Sequence, residues 1–150
     1  MFVVDTNVLL HAADQYSPFH ARCEELLETW RNQQAAWFTT WGVCYEFLRV
    51  ATHPAVFRNP WSAADAWSFL EALLDSSGLE LLVPTERHRA VMAEVLGEIP
   101  YLAGNIMHDA HTAILMREHG VKRIYTRDTD FHRFTFLEPV DPMQVSNPQH

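Results

Sequence analysis

Phe2-Val3-Val4-Asp5-Thr6-Asn7-Val8-Leu9-Leu10 opens the chain, and its reading decides the fold. A short apolar run ends in turn formers, and Val8, Leu9, Leu10, Ala12 and Ala13 then continue with helical spacing, which reads as strand, turn, helix. Asp5 therefore stands at the carboxyl end of a strand. The succession repeats outward from there. Ser17-Pro18 carries the signature of a helix start and predicts a helix to about Asn32. Trp37 to Thr39 is β-like, and Thr40 can cap a helix through about Thr52 that His53-Pro54 ends. Ser62 with Asp65 resembles a capping box for a helix stopping near Gly78, and Leu79 to Val83 is a third strand. Pro84-Thr85 opens a helix through about Leu96, Gly104-Asn105 opens another to Gly120, and Lys122 to Thr126 and Phe136 to Val140 read as two more β-runs. Residues 55–61, with Pro60, form the expected long loop. Strands alternating with helices predict an α/β domain whose mostly parallel central sheet is covered on both faces.

The chain of 150 residues suffices for one domain with a core that needs no disulfide or metal staple. Residues 1–142 are expected to form that domain and 143–150 a loosely held tail. Cys23 and Cys44, the two cysteines, sit in helical apolar patterns, as buried thiols of a reducing compartment do, so the cytoplasm is expected. No apolar run reaches the ~18 residues of a membrane span. Eleven basic against nineteen acidic residues give 11 − 19 = −8, which excludes binding of nucleic acid by general electrostatic attraction. Ten of the eleven cations are arginines, the type suited to bidentate phosphate or carboxylate contacts.

In open parallel sheets, ligands bind at the carboxyl ends of strands. Asp5 lies there, as do Asp128 and Asp130 after the Lys122 to Thr126 run. Glu46 and Asp109 border the apolar stripes of their helices, so both are half turned toward the interior. Each acid alone has an ordinary explanation: Asp5 as a turn or helix cap, Asp109 at a helix's positive end, Asp128 and Asp130 as turn formers. Together they repel, by ~1 kcal/mol for a pair about 4 Å apart in water and ~4 kcal/mol at an effective dielectric near 20. A cation relieves this, and all-oxygen donors select a hard ion, Mg²⁺ or Mn²⁺. The chemistry implied is metal-assisted hydrolysis of a phosphodiester.

Four blocks carry these acids: the opening Asp5-Thr6-Asn7-Val8-Leu9-Leu10, Tyr45-Glu46-Phe47-Leu48-Arg49-Val50, Asn105-Ile106-Met107-His108-Asp109-Ala110, and Tyr125-Thr126-Arg127-Asp128-Thr129-Asp130-Phe131. In this order they resemble the blocks of a PIN domain, and more narrowly the VapC-type toxins of bacterial toxin–antitoxin pairs. The resemblance implies a three-layer α/β/α sandwich and a Mg²⁺-dependent endoribonuclease. It also implies a homodimer, a structured RNA target such as transfer RNA, and a small VapB-like antitoxin as partner. By position it implies Asp5, Glu46, Asp109 and Asp128 as the acidic site. Asp5 and Asp109 are then direct metal ligands, Asp130 a supporting acid, and Asn7 and Thr126 polar supports. The ending Phe136 to Pro142 departs from the more basic ending of related toxins, which bears on substrate docking and not on the metal site.

Two other metal phosphohydrolase readings compete. His108-Asp109 is the core dipeptide of HD enzymes, but His108 and His111 point away from the stripe of Ile106, Ala110, Ala113 and Ile114 and are expected to face solvent. A haloacid-dehalogenase-like enzyme needs a carboxylate where Asn7 stands. A third reading keeps the fold as a non-catalytic partner-binding module whose acidic pocket receives a cationic side chain. His20, His53, His88, His119 and His132 are expected at the surface or in caps. Arg127 and Arg133 are candidates for substrate phosphate or for ion pairs with their neighbouring acids, and Arg49 carries the same ambiguity beside Glu46. The five tryptophans belong to the core, with any exposed subset available for an interface.

Overall fold

A computed structural model describes residues 1–144. The elements run β1 (Phe2–Val4), α1 (Thr6–Ala13), α2 (His20–Asn32), β2 (Trp37–Thr39), α3 (Trp41–Ala51), α4 (Ala63–Leu74), β3 (Leu79–Leu81), α5 (His88–Glu98), α6 (Ile106–His119), β4 (Arg123–Tyr125), a 3-10 turn (Thr129–Arg133) and β5 (Glu138–Val140). The strands form one sheet in the order β3-β2-β1-β4-β5, and every neighbouring pair is parallel.

Side chains alternate across each strand, and this two-residue period builds the three layers. Val4 and Trp37 pack into a core with α1, α2, α3 and α4, whereas Val3, Phe38 and Ile124 pack into a second core with α5, α6 and the 3-10 turn. Trp30 and Trp37 are buried, with Trp61 half-buried against Phe47 and Phe69, while Trp41 and Trp67 stay exposed. Both cysteines are buried free thiols, and burial pushes each up to about 11.

The helix signals act largely as expected. Thr40 Oγ1 accepts from the Val43 N–H at 3.0 Å and Ser62 Oγ from the Asp65 N–H at 3.1 Å. Gly120 closes α6 in the left-handed conformation, φ +73°. Two helices start later than expected because a local bond diverts the chain. Ser17 Oγ pairs with His11 Nδ1 and accepts from the Phe19 N–H, so Ser17-Pro18 forms a turn and α2 begins at His20. The Thr85 N–H is donated to Glu118 Oε2, so α5 begins at His88 and not at Pro84-Thr85. The third strand ends at Leu81, short of Val83. The connection across residues 52–62 is anchored by buried Phe57 and by the Trp61 N–H on the Ala51 carbonyl at 2.9 Å. Pro139 sits in β5, an edge strand, where a missing ladder donor is tolerated. Of the expected tail, Met143 and Gln144 are exposed, and residues 145–150 lie outside the described residues.

Strand order reverses at β1, which has β2 on one side and β4 on the other. The crevice of a parallel sheet opens at the carboxyl ends flanking such a junction.

Candidate active site

Asp5 follows β1 and caps α1: its Oδ1 accepts from the Thr6 N–H at 2.8 Å. Its Oδ2 accepts from Asn7 Nδ2 at 2.9 Å and from Thr126 Oγ1 at 2.8 Å. Thr126 follows β4, so this bond spans the junction. Asn7 completes the brace, donating to Thr126 Oγ1 at 3.0 Å and accepting the Arg127 N–H at 2.9 Å. Thr126 Oγ1 in turn accepts from the Asp128 N–H at 3.0 Å, and Asp128 Oδ1 from the Asp130 N–H at 2.9 Å. Neutral donors thus fix the loop that carries Asp128 and Asp130 against the loop that carries Asp5. Asp5 is both a helix cap and a cleft residue, so its local role and its convergence with the other acids coexist.

Across from this brace, α6 presents Asp109 and α3 presents Glu46. All five acids line one open cleft of about 610 Å³, together with Asn7. Asp109, Asp128 and Asp130 each offer an oxygen lying within 4.8 Å of the others. Among the described residues, none of the four aspartates has an ion-pair partner. Burial, then the charges of Asp5, Asp128 and Asp130, push Asp109 up to about 7. Burial pushes Asp5 up to about 6 against the lowering effect of its three donors. Glu46 behaves differently. Arg49 grips it with bonds of 2.6 and 3.0 Å and holds its carboxyl below the usual range. Carboxylate oxygens, crowded and without an ion-pair partner among the described residues, are the donor set of a hard divalent cation.

Several cleft residues differ from expectation. His108 and His111 both line the cleft: His108 is exposed, as expected, whereas His111 does not face solvent freely. His111 is half-buried against α3: a Cβ on Gly42 would meet its Nδ1 at 2.9 Å, so a glycine gives the ring its room. Asn105 makes no side-chain cap for α6 and turns into the cleft. Thr112 also lines it. No local pattern marks these residues, because only the packing of α6 against α3 decides which faces border the opening. Arg127 and Arg133 lie outside the cleft. The Arg127 guanidinium stacks 3.8 Å over the Phe19 ring and pairs with Asp141 at 3.4 Å, and Arg133 donates to the Tyr101 carbonyl at 3.4 Å. Away from the site, His88 is no surface residue: its Nδ1 bonds Glu118 Oε1 at 2.9 Å, and the Glu118 side chain is fully buried. The α/β layers exclude an all-helical HD domain, and Asn7 is committed to the brace.

The PIN domain family profile matches residues 2–137. Ribonuclease VapC48 of Mycobacterium tuberculosis is 30% identical to the chain over 138 residues, covering 92% of the chain and 94% of the relative. Ribonuclease VapC43 of the same organism is 32% identical over 143 residues, 95% of the chain and 96% of the relative. Among solved structures, VapBC2 from Rickettsia felis, bound to a DNA fragment from its promoter, superposes with a TM-score of 0.67 at 15% identity, covering 93% of the chain and 96% of the neighbour. Profile, relatives and architecture agree: the chain belongs to the PIN-domain family, in its VapC branch.

Proposed function

We propose that this VapC-type chain, an endoribonuclease and the toxin of a toxin–antitoxin pair, hydrolyses RNA phosphodiesters with Mg²⁺ or Mn²⁺ held by Asp5 and Asp109, supported by Glu46, Asp128 and Asp130. The observation that carries this reading is the convergence of four aspartates at the β1/β4 junction with no counter-cation among the described residues. When bound, the ion lowers the pKa of water and offsets charge on phosphoryl oxygens. The chain supplies the rest. Asn7 and Thr126 hold the Asp5 carboxylate in place, the 3-10 turn and its cap Asp128 set Asp128 and Asp130 at the cleft lining, and Arg49 keeps Glu46 ionised at the rim. The relatives named ribonucleases support RNA as substrate, and structured RNA in the cytoplasm, transfer RNA included, is the class to examine. A small VapB-like antitoxin is the partner, with a basic side chain reaching the acidic cleft, and the toxin works as a homodimer. Among the described residues no helix is long and apolar enough to cross a membrane.

Purified protein incubated with total cellular RNA tests the reading. Discrete cleavage that requires Mg²⁺ or Mn²⁺, stops in EDTA and is lost in Asp5→Asn and Asp109→Asn is expected. Cleavage that persists in EDTA or survives Asp5→Asn would refute it.

A further inference from the structure

The two walls of the cleft differ in what their polar side chains bind. On the β1/β4 side, Asp5, Asn7, Thr126 and the Asp128 loop bond one another. On the α6 side, Asn105, His108, His111 and Thr112 line the same cleft, and among the described residues none of their side chains has a hydrogen-bond partner. They share one strip of the helix, because 105, 108 and 112 are spaced by three and four residues and 111 stands one turn beyond 108. Burial deepens along it: Asn105 and His108 are exposed, His111 is half-buried, and Thr112 is 4% exposed. Polar groups that far from bulk solvent are ordinarily satisfied within the fold.

Of the four, His111 is the one that the fold clamps. Its ring packs against the α3 backbone at Gly42, where a Cβ would come within 2.9 Å of Nδ1 and 3.4 Å of Cε1. The His88 ring stands edge-on to it, centroids 6.3 Å apart, and His88 is itself held at 2.9 Å by Glu118, whose side chain is fully buried. A ring fixed by its neighbours and bonded to none of them meets a ligand with little further loss of freedom. The acids across the cleft only accept hydrogen bonds, and Arg49, the one Lys or Arg lining the cleft among the described residues, is engaged by Glu46. An imidazole keeps at least one N–H whatever its tautomer or charge.

We propose that His111 is a substrate-binding residue that donates an N–H to a non-bridging oxygen of the phosphate next to the scissile one. The contact rests on the nuclease reading and names how an acidic cleft meets an anionic chain without a basic surface. The flanking phosphate is the one assigned because His111 stands outside the group of Asp109, Asp128 and Asp130, whose oxygens lie within 4.8 Å of one another. Glu118 and His88 act through it as positioning residues, and Gly42 supplies the clearance that lets the ring reach the cleft.

The test uses full-length protein and a short RNA that it cleaves. His111→Ala is expected to raise KM about tenfold while kcat and the calorimetric Mn²⁺ dissociation constant stay at their wild-type values, and His111→Gln, which keeps an N–H, recovers the wild-type KM. Gly42→Ala, whose added methyl displaces the ring, is expected to raise KM as His111→Ala does, and the double variant to raise it no further. An RNA carrying an uncharged methylphosphonate beside the cut should show the higher KM with wild type and no additional rise with His111→Ala. Metal-dependent cleavage with KM unchanged in His111→Ala overturns the proposal and leaves the nuclease reading standing. A tenfold weaker Mn²⁺ affinity in His111→Ala overturns it too, by making the ring a support of the metal site. Wild-type protein that cuts no RNA in Mg²⁺ or Mn²⁺ removes the nuclease reading and the contact with it.

Discussion

Thr126 donates a 2.8 Å hydrogen bond to Asp5, a residue 121 positions away in sequence. The bond crosses the β1/β4 junction and is one of three that orient a carboxylate which burial alone would leave poorly placed for an ion. Partners of this kind orient metal ligands, and losing one costs ~10–100-fold in metal affinity. Thr126→Val keeps the shape and removes the hydroxyl. Its Mn²⁺ dissociation constant, measured calorimetrically, is expected to rise at least about tenfold while the protein stays folded. An unchanged constant would deprive Thr126 of its supporting role.

Asp109 lies among three like charges, none of them ion-paired among the described residues, so removing its charge relieves repulsion. Asp109→Asn is therefore expected to melt higher than the wild type in metal-free buffer at neutral pH, by a few degrees for a gain of about 1 kcal/mol. The same variant loses the melting-temperature rise that Mg²⁺ or Mn²⁺ gives the wild type. A substitution that stabilises the empty protein and abolishes turnover is the signature of a site whose strain serves a ligand. Asp109→Asn melting lower than wild type, or still responding to metal, removes Asp109 from the ligand set.

The pH dependence follows from the same crowding. Asp5 at about 6 and Asp109 at about 7 retain protons that the unfolded chain, near its ordinary value of 3.8, has released. With folded values raised, their contribution to stability is complete below about pH 4 and is lost as pH rises through 6 to 7. Solvent screening trims the share of half-exposed Asp109. Metal-free protein should melt progressively lower between pH 5 and pH 7.5. Metal at ten times its dissociation constant should recover about 1.4 kcal/mol, about 3–6 °C, at pH 7.5 and little at pH 5, where protons compete. Calorimetric melting across that range checks both limbs; a metal-free curve flat from pH 5 to 7.5 contradicts the crowding.

Glu118 offers a contrast, a buried acid that serves the fold. It accepts from the Thr85 N–H and from His88 Nδ1, both at 2.9 Å, and so pins the segment between β3 and α5 to the end of α6. Glu118→Ala leaves two donors without partners, a cost of about 2–4 kcal/mol and about 5–15 °C in melting temperature. The folded fraction should cut RNA with the native kcat. A loss of kcat at full stability would transfer Glu118 to the active site.

What the sequence discloses and what it withholds divide along the range of the interactions. Strands ending at Asp5 and Thr126, the Thr40 and Ser62 caps and the Gly120 stop are local, and the structure keeps each of them. The convergence of the acids is also readable, because the strand ends of a parallel sheet share one edge. His111, Asn105 and Arg127 are not readable in this way. Whether α6 turns His111 to the cleft depends on the clearance at Gly42, and whether Arg127 reaches substrate depends on Phe19 and Asp141, which only the folded chain brings beside it. Glu118 is hidden for the same reason: its partners are on another helix and the loop before it.

The scarcity of cations at the cleft fixes how RNA binding responds to salt. For single strands the logarithm of affinity falls with the logarithm of salt at about −0.7 per phosphate neutralised. Arg49, the one Lys or Arg lining the cleft among the described residues, corresponds to about one or two such contacts, so KM for the cleaved RNA should rise only about 3–7-fold between 50 and 200 mM KCl at saturating metal. A protein gripping phosphate through a basic surface would lose a factor of about 10³ or more over the same interval. Arg49→Ala should flatten the response further, while Arg127→Ala, whose guanidinium stacks on Phe19, should leave the slope unchanged. A steep salt dependence that Arg127→Ala abolishes would return that arginine to the substrate path and require the loop after β4 to turn it outward.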